Sequence, residues 1–168
     1  LAAAVLHDPE LVVIDEPFSG LDPFAMESMS ALLGEVARSG AAVLFSSHQL
    51  DLVDHLCEDV VVIDAGRVVL QGRLAEIREA APDRYVDVTA NGDLRPLLDL
   101  PGATLVGRDD GHVRLRVPRS IKPADLVRAA GTDVVRLSYE PPTLSALFRA
   151  AVTAGREPAN PEVPDATS

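Results

Sequence analysis

The chain has 168 residues, is 47% hydrophobic and carries a formal net charge of −11. That apolar share supports a packed core and excludes wholesale disorder, while the acidity argues against nucleic acid as a partner. One cysteine, Cys57, excludes an internal disulfide and fits a reducing compartment, and no apolar run reaches the ~18 residues of a membrane span.

The charge is unevenly spread. Residues 1–82 carry a net −10 and residues 83–168 a net −1. That step predicts two modules meeting near Pro82, over 1–82 and 83–152, with a tail over 153–168. The opening run Leu1–Leu6 has the apolarity of a signal-peptide core but no basic leader, and it runs directly into His7 and Asp8. The first residue is not Met, so the expectation is a fragment, or a chain that has lost an upstream part.

Leu11–Asp15 is a short continuous apolar run ending in an acid, the pattern of a strand buried on both faces. Asp22 and Pro23 form a cap and first-turn pair. The helix they open extends to about Ser39, with Met26, Met29, Leu32, Leu33 and Val36 as its apolar stripe. Ala41–Phe45 reads as a second buried strand, and Gln49–Cys57 as an amphipathic helix with Cys57 packed inside. This strand–helix alternation predicts a parallel α/β sheet. Val60–Ile63 and Val68–Leu70 around Ala65-Gly66 predict a hairpin, and Leu74–Glu79 a short helix.

Beyond Pro82, strands are expected at Tyr85–Thr89, Thr104–Val106, Val113–Val117 and Val134–Ser138. Helices are expected at Asp93–Leu100 and Pro123–Ala130. That order is β-α-β-β-α-β, the split βαβ grammar of a small ferredoxin-like α+β domain. A last helix, Thr143–Val152, follows Pro141-Pro142. From Thr153 the sequence is proline-rich without periodicity and is expected to be disordered.

Four features carry chemistry. Asp15-Glu16-Pro17 ends the first strand, and the carboxyl end of a parallel strand is where α/β sheets present ligands. An aspartate there suits Mg²⁺ on a nucleotide's phosphates, and a second acid beside it suits a general base. Taken alone, the dipeptide is more simply two acids in a loop after a strand. Ser19-Gly20-Leu21-Asp22-Pro23 is by itself a turn with a helix cap. Ser46-Ser47-His48 ends the second strand, and an imidazole there can hold a phosphate oxygen or a water, or can simply be solvated. The hairpin around Asp64–Val68 closes the unit.

In order and spacing, Asp8–Pro23, then Ser47-His48, then Gly66–Gly72 resemble the ATP-binding-cassette (ABC) ATPases. They match that family's Walker B strand, D-loop, switch histidine and following hairpin. The resemblance implies the C-terminal part of a P-loop NTPase cassette working on ATP and Mg²⁺. In it Asp15 would organise Mg²⁺ through water, Glu16 would be the catalytic carboxylate and His48 the γ-phosphate switch. Ser19, Gly20 and Asp22 would form the loop crossing to a second ATPase subunit in a head-to-tail dimer. Residues 1–7 would end the helix that follows the family's signature motif. Glu140–Phe148 resembles the Pro-Ser-Leu-Glu-x-Val-Phe motif that closes many drug- and antibiotic-export cassettes. That likeness implies a membrane permease as partner and a cytoplasmic, membrane-peripheral location.

The departures are as informative. No Gly-x-x-x-x-Gly-Lys-Ser/Thr occurs in the 168 residues, nor do the Q-loop and Leu-Ser-Gly-Gly signature. The expectation is therefore an ATPase of transport type that is inactive as this chain alone. The alternative is a catalytically inert remnant, or a regulatory module acting through residues 84–139. His7, His55 and His112 have no second ligand at zinc spacing, and Arg114, Arg116 and Arg119 read as a solvated face.

Overall fold

In the computed structural model, residue 7 and residues 9–156 are described; all but His7 of the helix end expected over 1–7 and most of the tail expected from Thr153 fall outside them. The fold is α/β, with six helices among the described residues. Its contacts divide the chain into two compact units, Leu1–Cys57 and Glu58–Ser168. This division falls upstream of Pro82, where the net charge changes, because the hairpin and the helix after it pack with the second unit.

In the first unit, β1 (Leu11–Ile14) pairs in parallel with β2 (Ala42–Phe45), with Val12 opposite Val43 and Ile14 opposite Phe45. Between them runs α1 (Pro23–Arg38). Its first turn is capped by the Asp22 carboxylate, which accepts the Ala25 amide at 2.8 Å, satisfying one of the free donors of a helix start. Leu33 and Val36 of α1 are buried, as are Val12 and Phe18, and Phe18 meets Phe45 edge to face with ring centres 5.6 Å apart. Leu32 lies outside the stripe, at the exposed edge. Adjacent helical residues point about 100° apart, so with Leu33 at the centre of the buried face Leu32 falls at its edge. α2 (Leu50–Leu56) follows and leaves Cys57 half-buried rather than enclosed.

β1 is covered on one face only. Leu11, Val13 and Leu44, all on the same side of the strand pair, are 56%, 66% and 60% exposed. The continuous apolar run predicts burial on both faces. Among the described residues, β1 and β2 pair only with each other, and α1 covers one side of them.

The second unit opens with β3 (Asp59–Asp64) and β4 (Arg67–Arg73), an antiparallel hairpin. Its turn residues Ala65 and Gly66 both have positive φ, 47° and 76°, the backbone of a type I′ turn whose twist matches the strands it joins. After α3 (Leu74–Ala80) comes β5 (Asp83–Ala90), where alternate residues are buried along its whole length. Then follow α4 (Arg95–Leu98), β6 (Thr104–Asp109), β7 (His112–Pro118), α5 (Pro123–Ala130), β8 (Val134–Glu140) and α6 (Leu144–Arg156). The four strands form one antiparallel sheet in the order β6-β7-β5-β8. Val86, Val88, Val113, Leu115 and Val117 project from its inner face onto Leu97 of α4 and Leu126 and Ala130 of α5.

Two boundaries differ from the sequence expectation. α4 is one turn long rather than spanning Asp93–Leu100, because Pro101 disfavours helical backbone at Leu100 and the Asp93 side chain accepts the Arg95 amide in a local turn at 3.0 Å. α6 runs past Val152 to Arg156, with the Thr153 hydroxyl donating to the Arg149 carbonyl at 2.8 Å. Among the described residues no helix is long and apolar enough to cross a membrane.

Candidate functional site at the carboxyl ends of two parallel strands

β1 and β2 are parallel and in register, so the residues after them emerge side by side. Ser46, immediately after β2, reaches both acids that follow β1. Its hydroxyl donates to Asp15 Oδ1 and accepts the Glu16 amide at 2.9 Å. A hydroxyl has one proton to give and can receive another, so one side chain orients the first carboxylate and fixes the backbone of the second. The Glu16 backbone needs that support. Its φ is +46°, a conformation non-glycine residues rarely adopt and one found repeatedly at functional sites.

His48, two residues further on, places Nδ1 at 2.9 Å from Glu16 Oε1. An ionised carboxylate can only accept, so Nδ1 carries the proton in this contact. A neutral imidazole then presents Nε2 as an acceptor, and an imidazolium presents it as a donor. The His48 side chain is 72% exposed and that of Glu16 34%, so the imidazole sits on the open side of the site. The other oxygen, Glu16 Oε2, is buried and has no hydrogen-bond partner. A buried carboxylate oxygen left unpaired is costly, which makes Glu16 the group whose surroundings are incomplete.

The remaining sequence candidates share the loop after Glu16 without joining this cluster. The Ser19 amide donates to the Glu16 carbonyl at 3.1 Å and the Leu21 amide to the Phe18 carbonyl at 3.3 Å, giving two successive turns. Gly20 has φ +73° within the second turn, and both Ser19 and Gly20 are exposed. Buried Phe18 anchors the loop. Asp22 spends its carboxylate on the α1 cap. The structure thus brings together Asp15, Glu16, Ser46 and His48, and sets Ser19, Gly20 and Asp22 on an outward loop beside them. Ser46 had no role in the sequence reading. The only signal for it was its place as the first polar residue after an apolar strand parallel to β1.

Acids and an imidazole at the carboxyl ends of a parallel strand pair stand where α/β folds present ligands. Comparison with known proteins narrows this. Residues 72–152 match the family described as ATP-binding protein DrrA1-3-like, C-terminal domain, and residues 1–54 match that described as AAA domain, putative AbiEii toxin, Type IV TA system. An uncharacterised ABC transporter ATP-binding protein of Alkalihalophilus pseudofirmus is 32% identical over 148 residues, which is 87% of this chain and 55% of that protein. The ABC transporter ATP-binding protein YhaQ of Bacillus subtilis is 34% identical over 148 residues, 87% of this chain and 50% of that protein. The ABC-type transporter ATP-binding protein EcsA of the same organism is 35% identical over 96 residues, 53% of this chain and 39% of that protein. The chain belongs to the ABC transporter ATP-binding proteins and carries a DrrA1-3-like C-terminal domain. It spans about half the length of the first two of these relatives.

Proposed function

We propose that this chain supplies the hydrolytic end of the nucleotide site in an ATP-binding subunit that powers a membrane exporter of drug or antibiotic type. The observation that carries the reading is the four-residue cluster of Asp15, Glu16, Ser46 and His48, gathered by one parallel strand pair. In this reading β1 is the Walker B strand of a parallel-sheet cassette.

Mg²⁺ and ATP fit the donor set. Asp15 commits Oδ1 to Ser46, and its other oxygen is a hard ligand of the kind Mg²⁺ takes, directly or through water. When bound, the metal would neutralise charge on the β- and γ-phosphates. Glu16 acts as the general base: Oε1 is held by His48, and Oε2 is the unpaired atom that a water proton would satisfy. His48 orients Glu16 through Nδ1 and offers Nε2 to water or, when doubly protonated, to a phosphate oxygen.

Ser19, Gly20 and Asp22 form the loop offered to a second ATPase subunit in a head-to-tail dimer. The exposure of Ser19 and Gly20 supports that role. Residues 83–140 form a ferredoxin-like accessory module, supported by the strand order β6-β7-β5-β8 with all neighbours antiparallel. The subunit works at the cytoplasmic face of a membrane beside a permease. The chain of 168 residues has no phosphate-cradling Gly-Lys loop of its own, so by itself it does not turn over ATP. The test is a fusion of the N-terminal half of YhaQ to this chain, assayed for magnesium-dependent ATP hydrolysis with and without Glu16→Gln.

A further inference from the structure

A cavity lies wholly within the unit Glu58–Ser168, far in sequence from the strand-end acids. It has a volume of about 480 Å³, inside the range of pockets that hold small molecules. One wall is the outer face of the sheet. β5 alternates, so Val86 and Val88 turn inward while Asp83 and Tyr85 turn out, and Arg116 of β7 stands directly across from Tyr85. The opposite wall is α6, where Ala146, Ala150 and Thr153 recur at helical spacing with Leu147 and Arg149 beside them. Two alanines facing a tyrosine leave room that larger side chains would fill.

The charges in this cavity do not balance. Arg116 and Arg149 approach it from different elements, against one acid, Asp83. Arg116 Nε is 3.7 Å from Asp83 Oδ2, an ion pair without a hydrogen bond. Arg149 has no acidic partner among the described residues, in a chain whose net charge is −11. Arg114 lies 5.5 Å over the Tyr85 ring, with its charge paired to Asp87 at 3.9 Å, so the unbalanced cation of the cavity is Arg149. An apolar floor flanked by planar guanidinium groups matches a molecule with an apolar or aromatic body and one terminal acid, since arginine pairs with planar carboxylates through two parallel hydrogen bonds.

We propose that this cavity binds a small amphipathic anion, with its apolar body on Ala146, Leu147 and Ala150 and its acid group held by Arg149 and Arg116. The site is independent of the nucleotide reading, because it uses no residue of the first unit.

The test is equilibrium dialysis of the full chain against 2-naphthoate, with the neutral 2-naphthylmethanol as control. Saturable binding of one naphthoate per chain is expected, at least roughly tenfold tighter than the alcohol. Arg149→Gln weakens it by a similar factor, Ala150→Trp abolishes it by filling the space, and circular dichroism reports both variants folded. Val13→Lys, on the exposed apolar face of the first unit, leaves it unchanged. The proposal is overturned by absence of saturable binding at ~1 mM probe, by equal affinity for acid and alcohol, by full affinity in folded Arg149→Gln, or by loss on Val13→Lys.

Discussion

The Ser46 hydroxyl donates to the Asp15 carboxylate and so ties together the carboxyl ends of two parallel strands. The same oxygen receives the Glu16 amide. Ser46→Ala removes both bonds and leaves Glu16 at positive φ without its anchor. At about 0.5–1.5 kcal/mol per hydrogen bond, a loss of about 1–3 kcal/mol is expected in urea unfolding. Ser46→Thr keeps the hydroxyl and restores most of it. In the YhaQ fusion, Ser46→Ala also raises the Mg²⁺ concentration needed for half-maximal hydrolysis, which a purely structural serine would leave unchanged.

Arg84 is the most deeply buried charged side chain among the described residues, at 4% exposure. Its guanidinium donates to the carbonyls of Glu79, Ala81 and Asp83 at 2.9–3.1 Å and to the Glu79 carboxylate at 3.1 Å. It therefore satisfies the end of α3, where helix carbonyls lack internal partners. Arg84→Ala leaves the carbonyls of Glu79, Ala81 and Asp83 without this donor, while the exposed Glu79 carboxylate keeps Arg119, and should cost about 1–3 kcal/mol. Arg84→Lys recovers only part, because one ammonium cannot reproduce a planar fork. The check is the denaturant midpoint at unchanged slope.

Burial pushes the Cys57 thiol above its ordinary pKa. The fold thus favours the neutral thiol, and the associated stability is present below the ordinary thiol range and lost as pH rises through the raised one. Alkylation by iodoacetamide at pH about 8.5 should be slower in the folded chain than in urea. Cys57→Ala should flatten the decline in stability at alkaline pH. Equal alkylation rates in the two states would remove the argument.

Among the described residues, Leu11, Val13 and Leu44 form an uncovered apolar face on a strand pair with open edges. Such surfaces associate. Size-exclusion chromatography with light scattering at micromolar concentration should show the 168-residue chain self-associating, and Val13→Lys with Leu44→Asp should shift it toward monomer. A wild-type chain that runs as a clean monomer and melts cooperatively would contradict this.

Elements with strong period or punctuation were legible in the sequence. Pro23 and Asp22 marked the start of α1, Pro123 marked the start of α5, and the apolar alternation of Val86 and Val88 marked β5. Burial was less legible. A run such as Leu11–Ile14 states that its side chains are apolar, not what covers them, and its outer face is open among the described residues. The short α4 was overextended because periodicity alone does not weigh Pro101. In the site, Asp15, Glu16 and His48 were singled out by their order and spacing after two apolar strands, since each alone reads as an ordinary loop residue. Ser46 was not, since its role comes from the lateral pairing of β1 with β2, which no local pattern encodes. The Arg84 contacts were hidden for a related reason: an arginine at an inward β position looks like an error until the carbonyls of α3 are placed around it.

The central claim is that Glu16 is the base of an ATPase site completed by a phosphate-binding half. Its most direct test is single-turnover ATP hydrolysis by the YhaQ–chain fusion, compared with Glu16→Gln, alongside nucleotide binding by both. Binding is expected to survive in Glu16→Gln while hydrolysis falls by ~10² or more, the scale of removing a positioned base. Hydrolysis by Glu16→Gln at the unsubstituted rate would contradict the assignment.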